Sequence, residues 1–247
     1  MQVSGYNEIL EAFERFCTFS TEKNSIIQNL QHIVTNKDTV LDIGAGTGCL
    51  TIPLAKIARK VVALEPSREA LTYLERKALK NKLTNIEFIK SKWEKIGHIG
   101  TFDIVLCSHT IYHLRDWSKV IRKMLQISRK HAIVVVHCKN DEFHKFLGTF
   151  WYQVHQYDYP NTHNHSYILD LIGQMKLKPY VKFIDCKLSI PNVREAMTLC
   201  KFFFEKTDFQ SGVQKKLYQY FVNKETGQGI SINYRNAIII FKPESKL

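Results

Sequence analysis

Val40-Leu41-Asp42-Ile43-Gly44-Ala45-Gly46-Thr47-Gly48 decides how the rest of this chain is read. An apolar strand runs into a glycine-rich turn at Gly44, where a residue without a side chain permits both a tight bend and the close approach of a ligand. A helix is expected from about Leu50 to Arg59, turning backbone N–H groups and its positive dipole end towards the crevice. A second apolar strand, Val61-Val62-Ala63-Leu64, ends on Glu65 about twenty residues after the first glycine, where a carboxylate can accept hydrogen bonds from both hydroxyls of a ribose. This pattern of strand, glycine turn, helix, strand and acid predicts a site for a ribonucleoside derivative.

Two classes of cofactor fit such a turn. Dinucleotide sites read G-x-G-x-x-G and rest a pyrophosphate on the helix N-terminus. Here the spacing is Gly44-x-Gly46-x-Gly48, and Asp42 precedes the first glycine by two residues. An acid at that place disfavours a pyrophosphate and suits a ligand that carries an ammonium group. The stretch Val40 to Gly48 resembles motif I of the class I S-adenosylmethionine-dependent methyltransferases, and Glu65 matches their ribose-binding acid. The resemblance spans about Asp38 to Val136 by motif and the remainder by topology. It implies S-adenosylmethionine as cofactor, with Asp42, Gly44, Ala45, Gly46, Glu65 and Pro66 around it and Trp93 and Ser108 as further contacts. One departure stands out: in Ser91-Lys92-Trp93-Glu94, Lys92 occupies the position where the family commonly has an acid for the adenine. Trp93 could cover the adenine face, and Glu94 could supply the acceptor.

Outward from the motif, helical and strand patterns keep alternating. Ala70, Leu71, Leu74, Ala78 and Leu79 recur at helical spacing over Ser67 to Lys82, and Asn85 to Lys90 alternates as a strand. Phe102 to Cys107 and His131 to His137 are apolar on both faces, with a helix from Trp117 to Ser128 between them. Strands of that kind specify a sheet covered on both sides. Tyr180 to Ile190 and Ile230 to Phe241 add two late strands. The expected fold is α/β, doubly wound, with a mostly parallel seven-stranded sheet, an antiparallel last strand and helical cap insertions. A single methyltransferase domain is expected over 1–247, with an N-terminal helical lid (1–36), a cofactor-binding core (37–138), cap segments (139–178 and 191–229) and a last strand (230–242).

The fourth strand delivers Cys107-Ser108-His109-Thr110-Ile111-Tyr112-His113-Leu114 to the carboxyl edge of the sheet, the edge at which open α/β folds bind ligands. The Asn/Asp-Pro-Pro-Tyr of amino-group methyltransferases acting on nucleic-acid bases is absent. His109 is the candidate general base, because a neutral imidazole takes a proton from a hydroxyl, thiol or amine. His113 follows four residues later and would share a face with His109 if the segment were helical. No Glu of an H-E-x-x-H pattern and no third ligand accompany the two, so no metal is expected.

The 247 residues carry 35 Lys and Arg against 23 Asp and Glu, a formal net charge of +12, and the basic residues are spread along the chain without forming a block. Cys17, Cys49, Cys107, Cys138, Cys186 and Cys200 show no paired short spacing and read as reduced thiols. No signal segment and no membrane-length apolar run stands out, so a cytoplasmic protein without a membrane partner is expected. Substrate choice is expected in three segments rich in aromatic residues: Tyr6 to Thr35; Asp141 to His165, which includes Trp151, His155, Tyr159 and a polar turn at His163-Asn164-His165; and Asn192 to Lys224, which includes Phe202, Phe203 and Phe204. Three functions stay open: a methyltransferase for a small-molecule acceptor, with O, N or C as nucleophile; a tRNA or rRNA methyltransferase; and a non-catalytic cofactor-binding protein. The acceptor and the oligomeric state are not written in the motifs.

Overall fold

The structure, a computed structural model, describes residues 3–160 and 164–243; His163 lies outside them. Helices α1 (Val3–Phe19) and α2 (Glu22–Leu30) precede strand β1 (Thr39–Ile43). Then come α3 (Thr51–Ala55), β2 (Lys60–Leu64), α4 (Arg68–Lys80), β3 (Ile86–Ile89), β4 (Phe102–Ser108), α5 (Trp117–Ile127) and β5 (Ser128–His137). Helices α6 (Glu142–His155) and α7 (His165–Gln174), strand β6 (Tyr180–Ile190), helices α8 (Val193–Phe203) and α9 (Ser211–Lys224), and strand β7 (Ile230–Phe241) complete the order.

The seven strands form one sheet in the order β3-β2-β1-β4-β5-β7-β6. β1 pairs in parallel with β2 and β4, β2 with β3, and β4 with β5. β7 pairs antiparallel to β5, with His137 opposite Asn236. The doubly wound, mostly parallel architecture expected from the apolar runs is the one observed. Val40, Leu41, Ile43, Val61, Ala63, Leu64, Val105, Leu106 and the run Ala132 to Val136 are almost wholly buried, as strands covered on both faces must be.

Contacts divide the described chain into two compact units, one drawn from 24–137, 164–184 and 236–243, the other from 3–23, 138–160 and 185–235. In the first unit Ala45, Ile52, Ala63, Leu71, Leu74 and Ala78 form a core under the glycine turn. α4 starts on Ser67, whose hydroxyl accepts the Ala70 N–H at 3.0 Å; of the positions that the periodicity marks, Ala70, Leu71, Leu74 and Ala78 are buried, whereas Leu79 is exposed. In the second unit the aromatic residues of α1, α6, α8 and α9 pack on one another: Phe146 lies 5.7 Å from Phe204 and 5.4 Å from Phe221, and Phe143 lies 5.0 Å from Phe203. The segments singled out for their aromatic residues therefore supply the core of their own unit.

At the N-terminal edge of the parallel strands Arg129 clamps three starts together. Its guanidinium donates to both oxygens of Asp103 at 3.1 and 3.0 Å and to the Thr101 carbonyl and the Thr39 hydroxyl at 2.9 and 3.0 Å. Thr39 N–H donates to the same Asp103 at 2.8 Å, and Lys130 pairs with the buried Asp38.

One local expectation is corrected, and one condition is not met. The helix expected to reach Arg59 ends at Ala55. Asn85 Nδ2 donates to the Ala55 and Ala58 carbonyls at 2.8 and 3.1 Å, and Arg59 N–H bonds the Asp38 carbonyl at 2.9 Å, so side-chain and loop partners replace the next helical turn. At five residues α3 offers no extended dipole. The segment after β4 is likewise not an α-helix: His109 is left-handed at φ 53°, and only Ile111–His113 make a single 3-10 turn.

Candidate cofactor-binding site

Past Ile43 the backbone takes φ values of 71° at Gly44, 54° at Gly46 and 87° at Gly48. The Gly44 and Ala45 N–H groups both donate to the Leu64 carbonyl, at 2.8 and 3.1 Å, which folds the turn over the end of β2. Gly44 is needed twice over. A Cβ there would fall 2.2 Å from the Thr110 side chain, and Thr110 Oγ1 donates to the Gly44 carbonyl at 3.3 Å. The loop after β4 thus closes directly on the glycine turn.

Glu65 stands just beyond β2 and is 8% exposed. Its two oxygens accept one backbone N–H each, Gly46 at 3.0 Å and Ser67 at 2.9 Å. A carboxylate offers about four lone-pair sites, so this orientation leaves capacity for two more donors. Burial raises its pKa, against the backbone bonds and the charge of His113, which lower it. Pro66, exposed at the surface, separates Glu65 from Ser67.

Asp42 on β1 is 3% exposed and accepts the Thr51 hydroxyl at 2.6 Å. Burial, with a smaller contribution from Glu65, pushes its carboxyl up to about 6 despite the Thr51 bond. Two acids at one crevice, both desolvated, favour a ligand that carries positive charge and hydroxyl donors. The glycine cradle and the two acids fit a nucleoside that bears an ammonium group.

Trp93 lies in a 3-10 turn (Trp93–Lys95) and is 4% exposed. The Lys123 ammonium sits 4.4 Å over its ring and donates to the Trp93 and Ile96 carbonyls at 3.3 and 2.6 Å, so one indole face is already covered. Lys92 is exposed, and Glu94 accepts the Arg115 N–H at 3.4 Å. Ser108, half-buried, ends β4, and its carbonyl accepts from Thr110 at 3.2 Å. His109 follows, its N–H donating to the Val135 carbonyl at 2.9 Å.

The structure therefore gathers Asp42, Gly44, Ala45, Gly46 and Glu65 at the glycine turn and the strand ends beside it, with Ser108 and His109 at the end of the adjoining strand β4. Residues not singled out in the sequence also belong here. Thr51 holds Asp42, Thr110 covers Gly44, and His137 lies against His109 with ring centroids 4.3 Å apart and planes tilted by 36°. Their hydroxyls and ring carry no spacing signal, because each acts through a partner that only the folded turn or the pairing of strands brings near.

A family model described as a methyltransferase domain matches residues 34–181, and the chain belongs to that family. It is 36% identical over 140 residues to the probable ribosomal RNA small subunit methyltransferase A of Methanosphaera stadtmanae, a match covering 54% of this chain and 50% of that one. This chain spans about half the length of the curated relatives it matches. Among solved structures, a putative methyltransferase from Bacillus halodurans has a TM-score of 0.64 at 15% identity, covering 89% of this chain and 99% of its own. Magnesium protoporphyrin IX methyltransferase from Synechocystis with bound SAM gives 0.51 at 15% identity, over 89% and 78%. These likenesses establish the fold.

Proposed function

We propose that this chain is an S-adenosylmethionine-dependent methyltransferase acting on a small-molecule acceptor. The observation that carries the cofactor is Glu65, fixed by the Gly46 and Ser67 N–H groups at the end of β2 with its remaining lone pairs available to a ribose. Asp42 would favour the ammonium end of the ligand, and Gly44, Ala45 and Gly46 would let the nucleoside approach the backbone. Ser108 would border the same crevice, and Trp93 would back the adenine side from beneath Lys123. Bound there, the sulfonium supplies an activated methyl group. The protein's part is then to align the acceptor and, where it is protonated, to take its proton. The imidazoles of His109 and His137, at the ends of β4 and β5, stand at the edge where that proton would be released.

The small-molecule acceptor is supported by the aromatic segment 141–159, which follows β5 in the chain and carries no basic tract. Calorimetry tests the cofactor assignment. The wild-type chain should bind S-adenosylhomocysteine, and Glu65→Ala should bind it about tenfold or more weakly, the loss expected of charge-assisted hydrogen bonds. Equal affinity in the two proteins would remove the ribose role. RNA is the second reading, favoured by the net charge of +12.

A further inference from the structure

His137, the last residue of β5, is held from three sides. Its Nδ1 lies 2.9 Å from Oδ1 of Asn236, a fully buried residue opposite it on β7. Its backbone N–H donates to the Tyr112 hydroxyl at 2.6 Å. The Tyr112 ring lies parallel to the imidazole, 7° between planes and 6.0 Å between centroids. An amide oxygen only accepts, so Nδ1 carries the proton and the basic lone pair falls on Nε2. A base whose other nitrogen is tied to a fixed acceptor is the arrangement by which enzymes orient a proton-accepting histidine. His109 differs: it is left-handed, a backbone conformation that residues with a side chain seldom adopt, and its ring lies against that of His137.

We infer that His137 is the proton-accepting residue of the methyl transfer, that Asn236 is its positioning residue, and that the acceptor presents an O–H, N–H or S–H group beside the two histidines. The inference rests on the methyltransferase reading. As the acceptor atom forms its bond to the methyl carbon, the carbon–sulfur pair stays with sulfur. The acceptor's proton passes to Nε2 of His137, which becomes an imidazolium, and charge balances because the sulfonium becomes neutral.

The test combines a spectroscopic and a kinetic measurement on the full chain. In 15N-histidine-labelled protein with S-adenosylhomocysteine, long-range proton–nitrogen correlations should show His137 as the Nδ1–H tautomer. Asn236→Leu should convert it to a mixture, and Asn236→Asp, which keeps an acceptor in place, should restore it. An Nε2–H tautomer in the wild type, or an unchanged tautomer in Asn236→Leu, overturns the positioning role. Should the leucine variant fail to fold, the wild-type and aspartate spectra still decide. With S-adenosylmethionine and a deproteinised cell extract as acceptor source, His137→Asn should release S-adenosylhomocysteine about a hundredfold more slowly than wild type, with product affinity kept within about twofold. A rate equal to wild type overturns the assignment of His137. Absence of both cofactor binding and product release in the wild type would instead count against the methyltransferase reading.

Discussion

Asp42 and Glu65 lie near enough for the charge of one to act on the other, and their surroundings give them different chemistry. Glu65 has two backbone donors, whereas Asp42 has one hydroxyl and complete burial, which pushes it up to about 6. Because the folded value lies above the ordinary one of 3.8, the folded protein holds this proton more tightly than the unfolded chain. Its contribution to stability is fully present below pH 3.8 and is lost as pH rises through about 6, an effect of about 3 kcal/mol. Asp42→Asn should therefore be more stable than wild type at neutral pH, with the gap closing near pH 4; urea unfolding at both pH values checks this. At Gly44 the constraint is steric. Gly44→Ala places a methyl group 2.2 Å from Thr110 at a φ of 71°, so calorimetry should find binding of S-adenosylhomocysteine abolished. The cradle and both acids were legible in the sequence because motif and spacing carry them. Thr110 and Asn236 were not, since each acts through a partner brought near only by strand pairing, and Thr51 reaches Asp42 only through the fold of the glycine turn between them.

Strands proved easier to read than the segments joining them. β6 and β7 occupy the ranges that apolar patterning marks, Tyr180–Ile190 and Ile230–Phe241. α3 is shorter than its pattern because Asn85, thirty residues away, satisfies the Ala55 carbonyl. The stretch after β4 was ambiguous for a related reason: a left-handed histidine has no periodicity to betray it. The Arg129 clamp makes a prediction at this scale. It joins the starts of β1, β4 and β5 at the edge away from the glycine turn, and it holds the Asp103 carboxyl well below the usual range. Arg129→Met should destabilise the fold by roughly 1.5–3 kcal/mol, the range for hydrogen bonds to charged groups. Thermal unfolding should report that loss while the affinity for S-adenosylhomocysteine stays unchanged.

For the molecule as a whole, net charge bears on the kind of acceptor. With 35 basic and 23 acidic residues the chain attracts polyanions in general. Many of its charges are engaged locally: Arg15 with Glu195, Lys60 with Glu87, Arg68 with Glu75, Arg235 with Asp185. A small-molecule enzyme with this surface should bind bulk tRNA weakly. If affinity for tRNA instead falls by about a thousandfold between about 50 and 200 mM salt, the phosphate contacts implied would favour RNA. Among the described residues no helix is long and apolar enough to cross a membrane.

The left-handed backbone at His109 has an evolutionary consequence. A glycine there would relieve the backbone and an asparagine would tolerate it, so a search for heat resistance alone would be drawn to replace this histidine early. The chain carries an imidazole at a position where backbone stability favours its loss, so under the proposed function position 109 would divide descendants selected for turnover from descendants selected only to persist.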